Sequence, residues 1–276
     1  MRLNSDFENK FLNNRGSKIT ARLNKATRNI SSGLKVLTAA DDPAGLAVSE
    51  TTRAQIRGLA QSQRNIQDGM SYLSATEDGL TKTNEDIQRL YELSVMALND
   101  TMDDESRGEV QIEVNQLVSS IKQTADTVQF NTTNLLGANN AKDNPKNIVI
   151  QLGSGSGQTM KVQLIDLSTS KLGLANASVE TKEDAAKLLE TTQKAIKTVT
   201  GYITQVGSQY SALEHTMNSS LALQNNLTKI ESSIRDSDIG KETMELAIDQ
   251  ILSEVNQNLH KYSTDQKQQY EKVLFG

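Results

Sequence analysis

The sequence predicts a mainly α-helical chain: a long antiparallel helical bundle or coiled coil with a small β-hairpin, ending in hinged terminal helices. Three observations predict it. Apolar residues recur every three or four positions through two long stretches. Aromatics are 4% of the chain and prolines number two, which suits long helices better than the bulky core of an α/β enzyme. The helical period gives way to alternation between Asn131 and Asn176.

Residues 1–36 read as the first helix. Leu3, Phe7, Phe11, Ile19, Leu23, Ala26 and Ile30 form one thin apolar stripe, bordered by Asp6, Glu8 and Lys10. Alone in water such a helix is marginal, so it needs a partner. Ser31-Ser32-Gly33 are weak helix formers and suit a flexible joint. Asp41, Asp42 and Pro43 then restart the helix as a hinge. Asp42 can accept from a free backbone N–H, and Pro43 takes the first helical position, where no N–H is needed.

The second helix runs from Pro43 to about Asn99. Its expected seam is Ile56, Leu59, Gln63, Ile66, Met70, Leu73, Glu77, Leu80, Asn84, Ile87, Tyr91, Ser94 and Leu98. At 1.5 Å per residue it would be roughly 80 Å long. Each apolar seam residue contributes about 1.5–3 kcal/mol when buried, so the seam calls for partner helices of similar length.

Asn99-Asp100-Thr101 interrupts the pattern. Asp103, Asp104 and Glu105 then place negative charge where a new helix N-terminus favours it. A cation site is the competing reading, but no His and no spaced ligand set accompany these acids. Val110, Val114, Leu117, Ile121, Ala125 and Val128 give the third helix its stripe. Asn139-Asn140 and Asp143-Asn144-Pro145 mark loops. Ile148–Leu152 and Met160–Ile165 read as two strands, joined by Gly153-Ser154-Gly155-Ser156-Gly157 into a hairpin. That glycine run lacks the spacing of a phosphate loop, and no Lys-Ser/Thr follows it.

Helix resumes from Thr181, with Glu183 and Asp184 in its first turn. Its seam steps through Ile196, Val199, Ile203, Val206, Tyr210, Leu213, Met217, Leu221, Leu227, Ile230 and Ile234. The simplest packing sets this helix antiparallel to the second. Arg235-Asp236-Ser237-Asp238 breaks it, and Asp238 can cap the last helix. Met244, Ile248, Ile251, Val255, Leu259 and Tyr262 continue at heptad spacing, ahead of a polar run from Ser263 to Lys272. The expected domains are a rod over residues 43–235, with its hairpin at about 140–175, and terminal helices over 1–42 and 236–276.

Composition narrows the function. A net charge of −5 and a pI of about 5.3 argue against non-specific nucleic-acid binding. With no Cys, disulfides, thiol catalysis and thiolate metal sites are excluded. No apolar run approaches the ~18 residues that span a bilayer. MRLNSDFENK lacks an apolar core, so a cleaved secretory signal is not expected. His215 and His260 have no acidic neighbours at triad or metal-ligand spacing, and GxSxG and HExxH do not occur. The sequence predicts no enzyme, cofactor or metal.

The hinge residues SSGLKV, followed by DDPAGLAVSE and AQIRGL, resemble the N-terminal signature of bacterial flagellins. IQRLYELSVMALND at 87–100, TVQFNTTNLLG at 127–137, QTMKVQLIDLSTSKLGL at 158–174 and LALQNNLTKIESSIRDSDIGKETMELAIDQIL in the C-terminal half follow in family order. The resemblance covers 19–137 and about 158–255. It is to a short form without outer variable domains. Residues 1–15 lack the family's Ala- and Leu-rich pattern, and the tail from about Glu254 is unusually polar.

The resemblance implies a subunit that polymerises into the extracellular filament used for swimming, exported without a cleaved signal. It implies a homopolymer, junction and cap proteins, and an export chaperone at the C-terminal helix as partners, with no nucleic acid or membrane. It implies that Leu3, Phe7, Phe11, Ile248, Ile251, Val255 and Leu259 meet as an inner layer, each terminal helix turning at a hinge (Asp41, Asp42 and Pro43; Asp238). It further implies that Arg89, Leu93 and Glu113 form a patch read by a Toll-like innate receptor. Read from the residues alone, Arg89 and Glu113 are equally an ion pair between helices, and Leu93 is packing. A hook–filament junction protein, a minor or specialised flagellin, and a helical signalling hairpin are the alternatives.

Overall fold

The computed structural model describes residues 2–137 and 147–275, with side chains from residue 9 onward except those of Tyr270, Glu271, Leu274 and Phe275. The loop signals at Asn139-Asn140 and Asp143-Asn144-Pro145 lie outside the described residues. Among the described residues the helices are α1 (Arg2–Ser32), α2 (Pro43–Ala97), α3 (Asp104–Thr127), α4 (Lys182–Arg235) and α5 (Ile239–Phe275). Between α3 and α4 lie two strand pairs, β1 (Gln129–Phe130) with β2 (Thr133–Asn134) and β3 (Asn147–Gln151) with β4 (Thr159–Gln163). The chain forms two compact units, Arg57–Gln224 and a second made of Met1–Ile56 with Asn225–Gly276.

The first unit is a rod with α2 at its centre. One row of α2 buries Leu59, Ile66, Leu73, Leu80, Ile87 and Ser94, as the period predicts. The second buried row is Ser62, Gly69, Thr76, Thr83, Leu90 and Ala97. The expected second row, Gln63 to Leu98, sits one position later and is only half-buried. The displacement has a physical cause. Small residues let neighbours approach, and the buried hydroxyls bond their own helix: Thr76 donates to the Tyr72 carbonyl at 2.8 Å and Thr83 to that of Gly79 at 2.9 Å. At Gly69 a side chain would collide with Ile150 of the hairpin. The same slip recurs on α4, where Ser220 is buried and Leu221 exposed; Gln63 Nε2 donates to Ser220 Oγ at 3.2 Å.

Local signals fix the element ends. Asp103 caps α3, accepting from Ser106 N at 2.9 Å, with Asp104 and Glu105 in the first turn. Thr181 and Asp184 bond reciprocally at the start of α4. β3 pairs with β4 from Asn147↔Gln163 to Gln151↔Thr159 and buries Ile150 and Val162 on one face. The glycine run is a turn closed by amides: Gln151 Nε2 donates to the carbonyls of Gly153 and Gly155 at 2.8 and 2.7 Å. The β1–β2 pair was not foreseen. Asn131 and Thr132 both have positive φ, 46° and 66°, which makes a two-residue hairpin turn. Tyr72 packs edge-on to Phe130 with centroids 6.2 Å apart, and its burial pushes the phenol up to about 12.

In the second unit α1 and α5 pack antiparallel. Gly33, at φ 72°, ends α1 in the left-handed conformation. Asp42 caps α2 by accepting from Gly45 N at 2.9 Å, and Asp238 caps α5 by accepting from Lys241 N at 3.2 Å.

Candidate assembly surface

The α1–α5 seam is built at heptad spacing from Leu12, Gly16, Ile19, Leu23 and Ala26 on α1. On α5 the residues turned to it are mostly polar, with Asp249 and Asn256 buried and Leu246 and Leu252 half-buried beside them. The apolar row of α5 points elsewhere. Met244, Ile248, Ile251, Val255, Leu259 and Tyr262 are 44–64% exposed. Steps of three and four keep these six on one side of the helix. Contiguous apolar surface of this kind is unusual on a lone soluble chain.

Within one chain Phe11 and the apolar row of α5 do not meet. Phe11 is 59% exposed while its neighbour Leu12 is 9% exposed and takes the seam position. Ile248, Ile251, Val255 and Leu259 likewise lie outside the seam. Hydrophobicity selects the apolar side of a helix, but here the intrachain partner takes the polar side. The side chains of Leu3 and Phe7 lie outside the described residues.

The joints are braced rather than loose. Leu34 and Asp236 form an antiparallel bridge, with Lys35 N donating to the Arg235 carbonyl at 2.8 Å and Ser237 N to the Gly33 carbonyl at 2.9 Å. Asp41 accepts from Leu37 N, Thr38 N and Thr38 Oγ1, and pairs with Arg28 at 2.7 Å. The Thr38 bonds, aided by Arg28, hold its carboxyl below the usual aspartate value. Arg235 reaches Glu50 at 2.6 Å, and that bond, with the charge of Arg53, lowers the Glu50 carboxyl. These bonds tie the first turns of α2 to the last turns of α4 within the terminal unit.

In the rod, Arg89 Nε donates to Glu113 at 2.8 Å and its Nη1 to Glu92 at 3.0 Å, which raises the guanidinium further. Leu93 is 1% exposed, inside the core. Arg89 and Glu113 are half-exposed, Arg89 near it in sequence and Glu113 across on α3. His260 sits 3.0 Å from Asn13 Oδ1, and His215 is exposed. An open groove along α3 is lined by Ile112, Asn115, Gln116, Ser119, Ser120 and Gln123, all amide, hydroxyl or alkyl groups.

Comparison with known proteins agrees with this architecture. Residues 4–141 match the model of the bacterial flagellin N-terminal helical region, and residues 189–270 match that of the C-terminal helical region. The flagellin of Halalkalibacterium halodurans is 35% identical over 246 residues, covering 88% of this chain and 89% of that protein. The flagellin of Bacillus subtilis is 32% identical, over 99% of this chain and all of that protein. The crystal structure of Bacillus cereus flagellin superposes with a TM-score of 0.52 at 28% identity, covering 57% of this chain and 88% of that one. A helical rod, paired terminal helices and family matches over both halves lead to one conclusion: this chain belongs to the bacterial flagellin family, structural subunits of the extracellular flagellar filament.

Proposed function

We propose that residues 1–42 and 236–276 form the inner core of the filament and that residues 43–235 form the rod domain of the subunit. The observation that carries this reading is the uncovered row Ile248, Ile251, Val255 and Leu259. Neighbouring copies cover it in the polymer, at about 1.5–3 kcal/mol for each side chain buried. The contact is heterologous and does not close, so copies add without limit into a helix. Swimming is the use of that polymer. The polar run that follows Ser263, as far as Lys272, faces the water-filled channel. Junction and cap proteins meet the polymer at its ends, a chaperone covers α5 before export, and export needs no cleaved signal. Arg89 and Glu113, 49% and 43% exposed, supply the charges of the receptor patch on a free subunit.

The test is Ile251→Asp. A carboxylate with no partner, repeated in every buried contact, costs several kcal/mol per copy. Polymer that sediments in the parent is expected to disappear, while circular dichroism keeps its helical signal. Gln268→Ala, in the polar run, serves as the control and sediments as the parent does. Sedimentation of Ile251→Asp at the parent level would remove this row from the assembly contact.

A further inference from the structure

The α1–α5 seam carries a ladder of polar side chains. On α5 its rungs are Glu242, Asp249, Asn256 and Ser263, one per heptad. Each has a partner on α1. Asn29 Nδ2 donates to Glu242 at 3.0 Å, and Arg22 pairs with Asp249 at 2.6 Å. Asn256 Nδ2 donates to the Leu12 carbonyl at 3.4 Å, and Ser263 Oγ to Asn9 Oδ1 at 3.5 Å. The rungs are costly to bury. Asn29, Asp249 and Asn256 are 3%, 6% and 9% exposed, and the Oδ1 atoms of Asn29 and Asn256 have no partner among the described residues. Leu at these places would be cheaper, and α5 has apolar residues in plenty on its other side. Stability therefore does not explain the ladder.

One rung reads position. Asn256 packs on Gly16, where a Cβ would come within 2.8 Å of Asn256 Nδ2. Gly16 is the single glycine of α1. A slip of one heptad in one direction sets Asn256 against Leu23; the opposite slip sets it against Asn9. Both positions carry a side chain where Gly16 has none.

We propose that this ladder, read at Asn256 and Gly16, is the register and partner key of the terminal pair. It selects α1 of the same chain, in one register, for the polar face of α5. An apolar seam would accept several registers and could equally recruit the apolar face of another copy's α5. The proposal stands apart from the filament reading, because its test measures disulfides and not polymer.

The chain has no cysteine, so engineered pairs report cleanly. Asn13→Cys with His260→Cys reports the observed register, since the two positions face each other across the helices, with His260 Nε2 3.0 Å from Asn13 Oδ1. Asn13→Cys with Ser253→Cys reports a slip of one heptad. Oxidation is followed on non-reducing gels, in the full-length dissolved chain and in sedimented polymer. The in-register pair is expected to close about tenfold faster than the slipped pair, as a buried polar key implies. Asn256→Leu is expected to bring the two rates to about twofold of each other at unchanged helical content. Where Asn256→Leu loses helix instead, Gly16→Ala, which crowds the same amide, must narrow the gap. Copies carrying Asn13→Cys alone, mixed with copies carrying His260→Cys alone, are expected to give interchain dimers with Asn256→Leu and none without it. Equal rates before the substitution in both states, or a tenfold gap that survives both substitutions, overturns the proposal.

Discussion

The rod and the terminal pair use the same heptad spacing and place their apolar residues on opposite sides. In the rod, Leu73, Leu80 and Ile87 are fully buried by neighbours from the same chain. On α5, Ile248, Ile251 and Val255 are 56%, 61% and 44% exposed, while Asp249 beside them is buried. The rod satisfies its hydrophobic periodicity internally. In the terminal pair α1 offers apolar residues to the seam, while α5 answers with its polar side and turns its apolar row outward. An apolar stripe in a sequence therefore says that something will cover it, and not that the same chain will.

One substitution made in both regions breaks the comparison or confirms it, and this is the largest effect expected. Leu80→Asp places an unpaired carboxylate in the centre of the rod, at a cost of several kcal/mol against a total stability of about 5–15 kcal/mol. The rod is expected to lose its cooperative thermal transition. Ile251→Asp is expected to leave that transition in place. If both variants melt alike, α5's outer row is part of the internal core and the distinction fails.

A buried leucine truncated within the rod comes next. Leu93→Ala removes a side chain that is 1% exposed, and large-to-small changes of this kind cost about 2–5 kcal/mol. The expected result is a clearly lower denaturant midpoint with an unchanged slope. A midpoint within experimental scatter of the parent would mean that Leu93 does not pack as described.

Much of this architecture was legible in the sequence. Asp42 and Asp238 cap helices where the sequence places them, Asp103 stands at the helix start its charge marks, and Leu59, Ile66, Leu73, Leu80 and Ile87 fall on the buried row. The misses share a cause. Ser62, Gly69, Thr76 and Thr83 carry no hydrophobic signal, yet close approach and bonding to their own helix bury them. Asp249 and Asn256 form a seam for which polarity is the wrong clue. Thr132 adopts a positive φ that β-branched residues avoid, so the β1–β2 turn left no signature. Of the proposed surface, the α5 row was legible as a pattern, whereas its exposure required knowing which face α1 occupies.

Acid separates the two regions by a smaller margin. Asp41 and Glu50 brace the joints, and their carboxyls are held below the ordinary 3.8 and 4.5 by the bonds of Thr38 and Arg235. A depressed carboxyl stabilises the fold above its unfolded value, and that contribution is lost as pH falls through its folded value. The window therefore lies below about pH 4.5, moving downward. The rod has depressed carboxyls too, at the caps Asp103 and Asp184, but its leucine core does not titrate. Amide protection of Lys35 and Ser237, corrected for intrinsic exchange, is expected to fall before that of Leu80 as pH drops from 6 toward 3. Simultaneous loss would show that the joints and the rod open as one.

The smallest effect tests what surface charge adds to a region whose core is complete. Arg89 bridges Glu113 and Glu92, and the three side chains are 49%, 43% and 64% exposed. Solvent screens such pairs, and exposed ion pairs contribute about 0.2–1 kcal/mol. Leu93, nearby on α2, is buried in the core. Arg89→Ala and Glu113→Ala are therefore expected to shift stability little, and a double-mutant cycle should return a coupling near the lower end of that range, decreasing with added salt. The pair would then be free to serve an outside partner without endangering the rod. A coupling above about 2 kcal/mol, insensitive to salt, would place the pair among the structural supports of α2 and α3 and make every receptor measurement on these variants a measurement of folding.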